Sequence, residues 1–211
     1  VVVNMIVSED MKEYYQVTLH DISKRKKELE ELALQADYDQ LTKLYNRRGL
    51  EKIIEVYTQQ RKPFTMLLID LNRFKQVNDV YGHESGDEVL IFVADKLKKA
   101  IRPEDFGCRW GGDEFVILLS DTNEEKIRAV ASRLHELIVR PYYLSKFKKN
   151  VHIGGSMGGA FYPKDDQSIQ GIIDKADQAM YRVKRIREDS PEKFLLFYHE
   201  YILLDDQPKV S

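Results

Sequence analysis

The 211-residue sequence holds one cysteine, Cys108, so no disulfide can close within it, and the chain is expected in a reducing, cytoplasmic compartment. Neither charge sign dominates. Lys+Arg 33 against Asp+Glu 35 leaves a formal net charge of -2, which lends no support to a nucleic-acid binder, since such proteins carry a basic excess. No apolar run approaches the roughly 20 residues that a membrane-spanning helix needs, so no membrane contact is expected from this chain. There is no internal repeat and no low-complexity tract. The sequence opens on Val1 and shows no secretory signal, which reads as a piece of a longer chain whose anchor, if it has one, lies elsewhere. Against these absences stand 43% hydrophobic and 32% charged residues, the balance of a folded globular protein rather than a disordered one.

Residues 1–20 alternate polar and apolar, with Val1, Val3, Tyr15, Val17 and Leu19 around a polar turn at Ser8, Glu9 and Asp10. This pattern predicts two short strands, and two strands alone are marginal in water, so they read as the remnant of a larger sheet. Over residues 21–36 the pattern changes. Asp21 can cap a helix in which Ile22, Leu29 and Ala36 recur every seven residues, with Leu32 between. A solvated linker helix and a short parallel coiled coil both fit so few heptads. From residue 37 to residue 198 the elements alternate in the manner of an α+β fold. Asn46 is expected to cap a helix running to about Gln60. Thr65 to Ile69 is an apolar run ending in Asp70, as in a buried central strand. A helix is expected from about Glu84 to Ile101. Strands follow at Phe106–Trp110 and Glu114–Leu119, joined at Gly111-Gly112, and then a helix that carries Ile127, Leu134 and Ile138. Strands near 142–148 and 151–161, parted by Lys148, Lys149 and Asn150, precede a last helix through Ile172, Ala176, Met180 and Val183, and a closing strand from Phe194 to Tyr198. Residues 199–211 read as a tail or the start of a linker.

Three places put polar residues where the pattern wants apolar ones. Asp70 follows a buried strand, where a carboxylate is costly unless paired or bound to a cation. Asp113 and Glu114 leave the Gly111-Gly112 turn together, a poor choice for stability alone. The polar stretch Asn72 to His83 comes directly after Asp70. If the two strands are neighbours, Asp70, Asp113 and Glu114 converge as hard oxygen donors suited to Mg²⁺, with Lys75 available to phosphates. The plainer reading makes Asp70 a turn cap and Gly-Gly-Asp-Glu an ordinary hairpin.

The pentapeptide Gly111-Gly112-Asp113-Glu114-Phe115 is the signature of the GGDEF family of diguanylate cyclases, and it does not stand alone. Asp39 to Arg48 resembles the family's opening DxLTxLxNRR. Leu68 to Asp79 resembles its metal strand and following loop, and Tyr81 to Asp87 its YGHxxGD. Ser156 to Ala160 and Ala176 to Lys184 are similar to its last two blocks. The resemblance implies a mostly antiparallel central sheet flanked by helices, similar to the palm of polymerases and nucleotidyl cyclases. It also implies condensation of two GTP into cyclic di-GMP by a homodimer using Mg²⁺ or Mn²⁺. By motif position Asp70, Glu114 and the Leu71 carbonyl would hold the metal, and Asp113 would be a further ligand or the base for the 3′-hydroxyl. The backbone at Phe74, with Lys75, would cradle the β- and γ-phosphates, Asn78 and Asp87 would read guanine, and Lys184 would reach the phosphates; a solvated helix end is the other reading of Lys184. Arg102 and Asp105 form an RxxD at the offset of the family's product-inhibition site, where the plainer reading is a helix end with a surface ion pair. Tyr15 to Arg25 resembles the exit of a PAS sensor domain.

The resemblance frays after Lys184. Family members continue xxGRN, whereas Arg187 stands at the glycine position and Glu188 where an arginine contacts phosphate. Either Arg185 or Arg187 substitutes, or triphosphate binding is weaker. The expected function is an active cyclase with product inhibition; the alternative is a catalytically silent domain that binds GTP or cyclic di-GMP as a regulatory module.

Overall fold

A computed structural model describes residues 2–7, 13–18, 36–186, 190 and 192–205, in two units, Val1–Ala36 and Asp37–Ser211. In the first unit, β1 (Val2–Val7) and β2 (Glu13–Thr18) pair antiparallel with Val3 opposite Val17, as the alternation predicts. The expected linker helix and Glu188 lie outside the described residues.

The second unit is built on the apolar run around Leu67. It becomes β4 (Phe64–Asn72), a central strand with β6 (Glu114–Leu119) antiparallel on one side and β9 (Gly154–Tyr162) antiparallel on the other. Beyond them lie β5 (Phe106–Gly111), β3 (Tyr45–Asn46) and β10 (Leu195–Phe197), giving the order β10-β9-β4-β6-β5-β3. Only the edge pairs β10–β9 and β3–β5 are parallel, so the sheet is mostly antiparallel, as expected.

Side chains alternate between the faces of a strand, and both faces are covered. Leu67, Ile69 and Leu71 of β4 join Phe115, Ile117 and Leu119 of β6 on one face. That face packs against α3 (His83–Ala100), through Leu90, Val93 and Leu97, and against α4 (Glu124–Ile138), through Ile127, Leu134 and Ile138. Met66 and Leu68 join Val116 and Leu118 on the other, beneath α1 (Arg47–Gln59) and α5 (Ile169–Ile186). Asn46 caps α1 as predicted, its side-chain oxygen accepting from the Gly49 amide at 2.9 Å. α5 lies hard against β9, where an added Cβ at Gly158 would sit 2.0 Å from the Ala176 carbonyl oxygen.

Four expectations need correction. Asp70 does not end its strand, because β4 continues to Asn72. The segment after it is not loop: Phe74–Tyr81 forms α2, a two-turn helix that buries Phe74 and Val77. The turn between the short strands β7 (Tyr142–Leu144) and β8 (Lys149–Val151) falls at 145–148, so Lys149 and Asn150 are strand residues of a separate two-stranded sheet. The chain continues past residue 198 as α6 (Tyr198–Asp205) rather than as a tail.

Candidate active site

Past Leu68 and Val116 the α5-facing side of the sheet turns polar, and the register brings its residues together. Asp70 is paired across strands with Glu114 on one flank and with Ser156 on the other. Asn72, two residues on and therefore on the same face, exchanges hydrogen bonds with the buried Ser156 hydroxyl at 3.0 and 3.2 Å. Asp113 occupies the turn beside them, where its carbonyl accepts from the Leu71 amide at 3.2 Å. From the last turn of α5, Lys184 Nζ reaches Asp70 Oδ2 at 2.7 Å. Burial first, and the Asp70 charge second, push the carboxyls of both Asp113 and Glu114 above their usual range. Asp177 on α5 adds further negative charge near Glu114, and Lys184 opposes it.

The three acids meet as neighbours, yet among the described residues no three acidic, histidine or cysteine side chains close into a ready metal cage. That is compatible with Mg²⁺, which keeps several waters and takes one or two carboxylates together with substrate phosphates rather than an all-protein shell. The donor set of Asp70 and Glu114, with Asp113 adjacent, is oxygen-only and over-supplied with negative charge, and it fits such an ion.

The β4–α2 junction supplies complementary groups. Arg73 turns the chain with φ 67, and no side chain caps α2, so the first-turn amides at Phe74 and beyond are left for an anion. Lys75 stands exposed in that same turn. Asn78 faces α3: a Cβ at Gly86 would lie 1.9 Å from Asn78 Oδ1, so the glycine makes room for the amide. Asp87 is exposed on the next residue of α3. The structure thus places Asn78 and Asp87 at one helix–helix junction and Asp70, Asp113, Glu114 and Lys184 at one sheet corner.

The Arg102–Asp105 turn lies apart from this corner and does not form the surface ion pair of the plainer reading. Asp105 Oδ2 accepts from the Arg102 amide at 3.1 Å, while Oδ1 accepts from the Ser120 amide and hydroxyl at 3.0 and 3.1 Å. Asp105 therefore holds the turn, and Arg102 stands exposed. Arg102 shares two surface grooves of about 190 and 520 Å³ with Arg133, a cation the sequence reading did not single out. A second unforeseen link runs from Arg109, whose guanidinium donates to the Gly112 carbonyl at 2.9 Å and meets Asp39 at 3.4 Å. Its position just ahead of the glycine pair was the available signal. Ser156, a polar residue inside a buried strand, was another.

A sequence model of the family described as "Diguanylate cyclase, GGDEF domain" matches residues 36–190. The chain is 39% identical over 167 residues to the bifunctional diguanylate cyclase/cyclic di-GMP phosphodiesterase MucR of Pseudomonas aeruginosa, covering 77% of this chain and 24% of that one. It is 34% identical over 170 residues to the diguanylate cyclase DgcM of Escherichia coli, covering 79% and 40%. Its fold superimposes on diguanylate cyclase SiaD of Pseudomonas aeruginosa, solved in complex with its activator SiaC, with a TM-score of 0.70 at 27% identity over 83% of this chain and 69% of that chain. The chain thus spans less than half the length of the two curated relatives, and what it shares with them is the domain that carries Asp70, the Gly111-Gly112 turn and Lys184; on these grounds it belongs to the GGDEF family of diguanylate cyclase domains.

Proposed function

We propose that this domain condenses two GTP molecules into cyclic di-GMP and releases pyrophosphate, and that it acts as a homodimer restrained by its product. The observation that carries the reading is the register of β4 on β6, which sets Asp70 opposite Glu114 beside the uncapped start of α2. Asp70, Glu114 and the Leu71 carbonyl would hold Mg²⁺, or Mn²⁺ in its place, with Asp113 as a further ligand or as the base that takes the 3′-hydroxyl proton. Held there, such an ion would supply positive charge to offset what develops on the phosphates in transfer. The first-turn amides of α2 and the Lys75 ammonium receive the β- and γ-phosphates, and Lys184 supplies a second cation. Asn78 and Asp87 select guanine. A carboxylate accepts from the guanine N1–H and exocyclic amine, a donor pair that adenine does not present in that arrangement.

The product has two-fold symmetry, and each 3′-hydroxyl must attack the other nucleotide's α-phosphate. Two copies therefore meet face to face across an isologous contact. Residues 1–20 are read as the end of a PAS sensor and residues 21–36 as the linker that governs how often two copies meet, with 37–198 the catalytic domain and α6 packed at its end. Cyclic di-GMP would restrain the enzyme at Arg102, on the turn held by Asp105, with Arg133 across the grooves.

Purified protein incubated with GTP and Mg²⁺ should yield cyclic di-GMP and pyrophosphate. GTP binding with no turnover supports the second reading, a silent binding module, which Glu188 at the position of the usual phosphate-contacting arginine favours. Arg102→Ala should raise product accumulation, and an unchanged inhibition constant counts against the inhibitory site.

A further inference from the structure

Asp70 is claimed twice. It is half of the carboxylate pair suited to a divalent ion, and it is the partner of Lys184 at 2.7 Å. The fold enforces the second contact. Ala176, Ala179, Met180 and Val183 bury one side of α5, and the glycine at 158 lets that helix settle directly on β9, the strand that pairs with β4 at Asp70. Lys184 follows the buried Val183 and so emerges at the polar corner. There its charge acts on both Asp113 and Glu114, and Asp177 adds negative charge near Glu114. Arg109, the next cation, is engaged by Asp39 and the Gly112 carbonyl. The Asp70 side chain is 14% exposed and that of Lys184 35%, so the lysine is the more solvent-open of the two partners. A four-carbon stem gives the lysine the reach to exchange partners without moving its helix.

We propose that Lys184 is a built-in counter-ion for Asp70, which a divalent metal must displace and which then passes to the triphosphate. The idea rests on the metal reading above. It adds that metal and nucleotide bind cooperatively, because the ion releases the ammonium that the phosphates receive, and that metal alone binds weakly.

Mn²⁺ alone, without nucleotide, is the probe, titrated into the full chain by calorimetry. Lys184→Met keeps the stem and removes the charge, and it should bind Mn²⁺ about tenfold more tightly than the wild type, the worth of one charge-assisted hydrogen bond. Lys184→Arg keeps the charge and should bind no more tightly than the wild type. Equal affinities for the Met variant and the wild type overturn the counter-ion and leave the metal site standing. No Mn²⁺ binding by any form, with or without a non-hydrolysable GTP analogue, overturns both. A second measurement needs no variant. Acylation of Lys184, read by mass spectrometry against Lys175 as internal reference, should rise when Mn²⁺ is added and fall again with the GTP analogue. Labelling that Mn²⁺ leaves unchanged overturns the proposal.

Discussion

Asp113 and Glu114 crowd like charge into one corner of the sheet, and burial together with Asp70 holds both carboxyls above their ordinary range. A raised carboxyl favours the folded state only while protonated. Its contribution is lost as pH climbs from the ordinary carboxylate value, about 4, through the raised one, and above that range the ionised pair weakens the fold. Glu114→Gln should therefore abolish turnover yet raise the melting temperature of the metal-free protein at pH 7 and low salt. The gain should fade toward pH 4, and a melting temperature that falls at pH 7 would refute the assignment. Asp39 is the opposite case. Burial opposes its ionisation, but the Thr42 hydroxyl and amide, at 2.7 and 2.8 Å, and the Arg109 guanidinium outweigh burial and lower its pKa. That stabilisation is present above the ordinary carboxylate pKa and is lost as pH falls through the lowered one. Asp39→Asn should cost about 1 kcal/mol at pH 7, measured by urea unfolding, with the deficit narrowing in acid. Such residue-scale chemistry was largely legible, since acids at a strand and at a turn break the apolar pattern. Their signs were not: those of Asp113 and Glu114 depend on Asp70 far away in the chain, and that of Asp39 depends in part on the distant Arg109.

Two glycines join elements, and substitution at each has a different consequence. At Gly158 a methyl would strike the backbone of α5, which cannot step aside without lifting the helix from β9. Gly158→Ala should cost about 3 kcal/mol and lower turnover as well, since Lys184 rides on that helix. At Gly86 the methyl would meet the end of the Asn78 side chain, which can swing away. Gly86→Ala should fold with a nearly unchanged melting temperature while its KM for GTP rises about tenfold, the worth of one lost base contact; an unchanged KM would remove Asn78 from guanine recognition. Long periodic elements such as α3, α4 and α5 were readable because each buries a regular stripe. Shorter ones were not. α2 buries only Phe74 and Val77 in eight residues, too few for a period to show. The β7–β8 hairpin keeps Lys149 and Asn150 exposed outside the main sheet, so its strand residues look like turn residues.

At the scale of the whole molecule, a product built from two nucleotides in two facing sites ties rate to encounter. Specific activity should rise with protein concentration until dimers saturate, in a stopped assay of cyclic di-GMP formed per mole of chain. A constant specific activity across dilution would exclude assembly of the site from dissociating copies. Residue order alone determined the fold class, five of the six strands of the main sheet (all but the short β3), and the identity of the chemical groups. Those follow from local patterning of apolar residues and from short motifs whose spacing is kept along the chain. Only the tertiary structure decided that Asp70 lies inside its strand between Glu114 and Ser156, that Lys184 rests on it, and that Asp105 spends its oxygens holding a turn. Strand register, helix seating and hydrogen-bond partners bring together residues up to a hundred or so positions apart, and no local periodicity encodes which of them will meet.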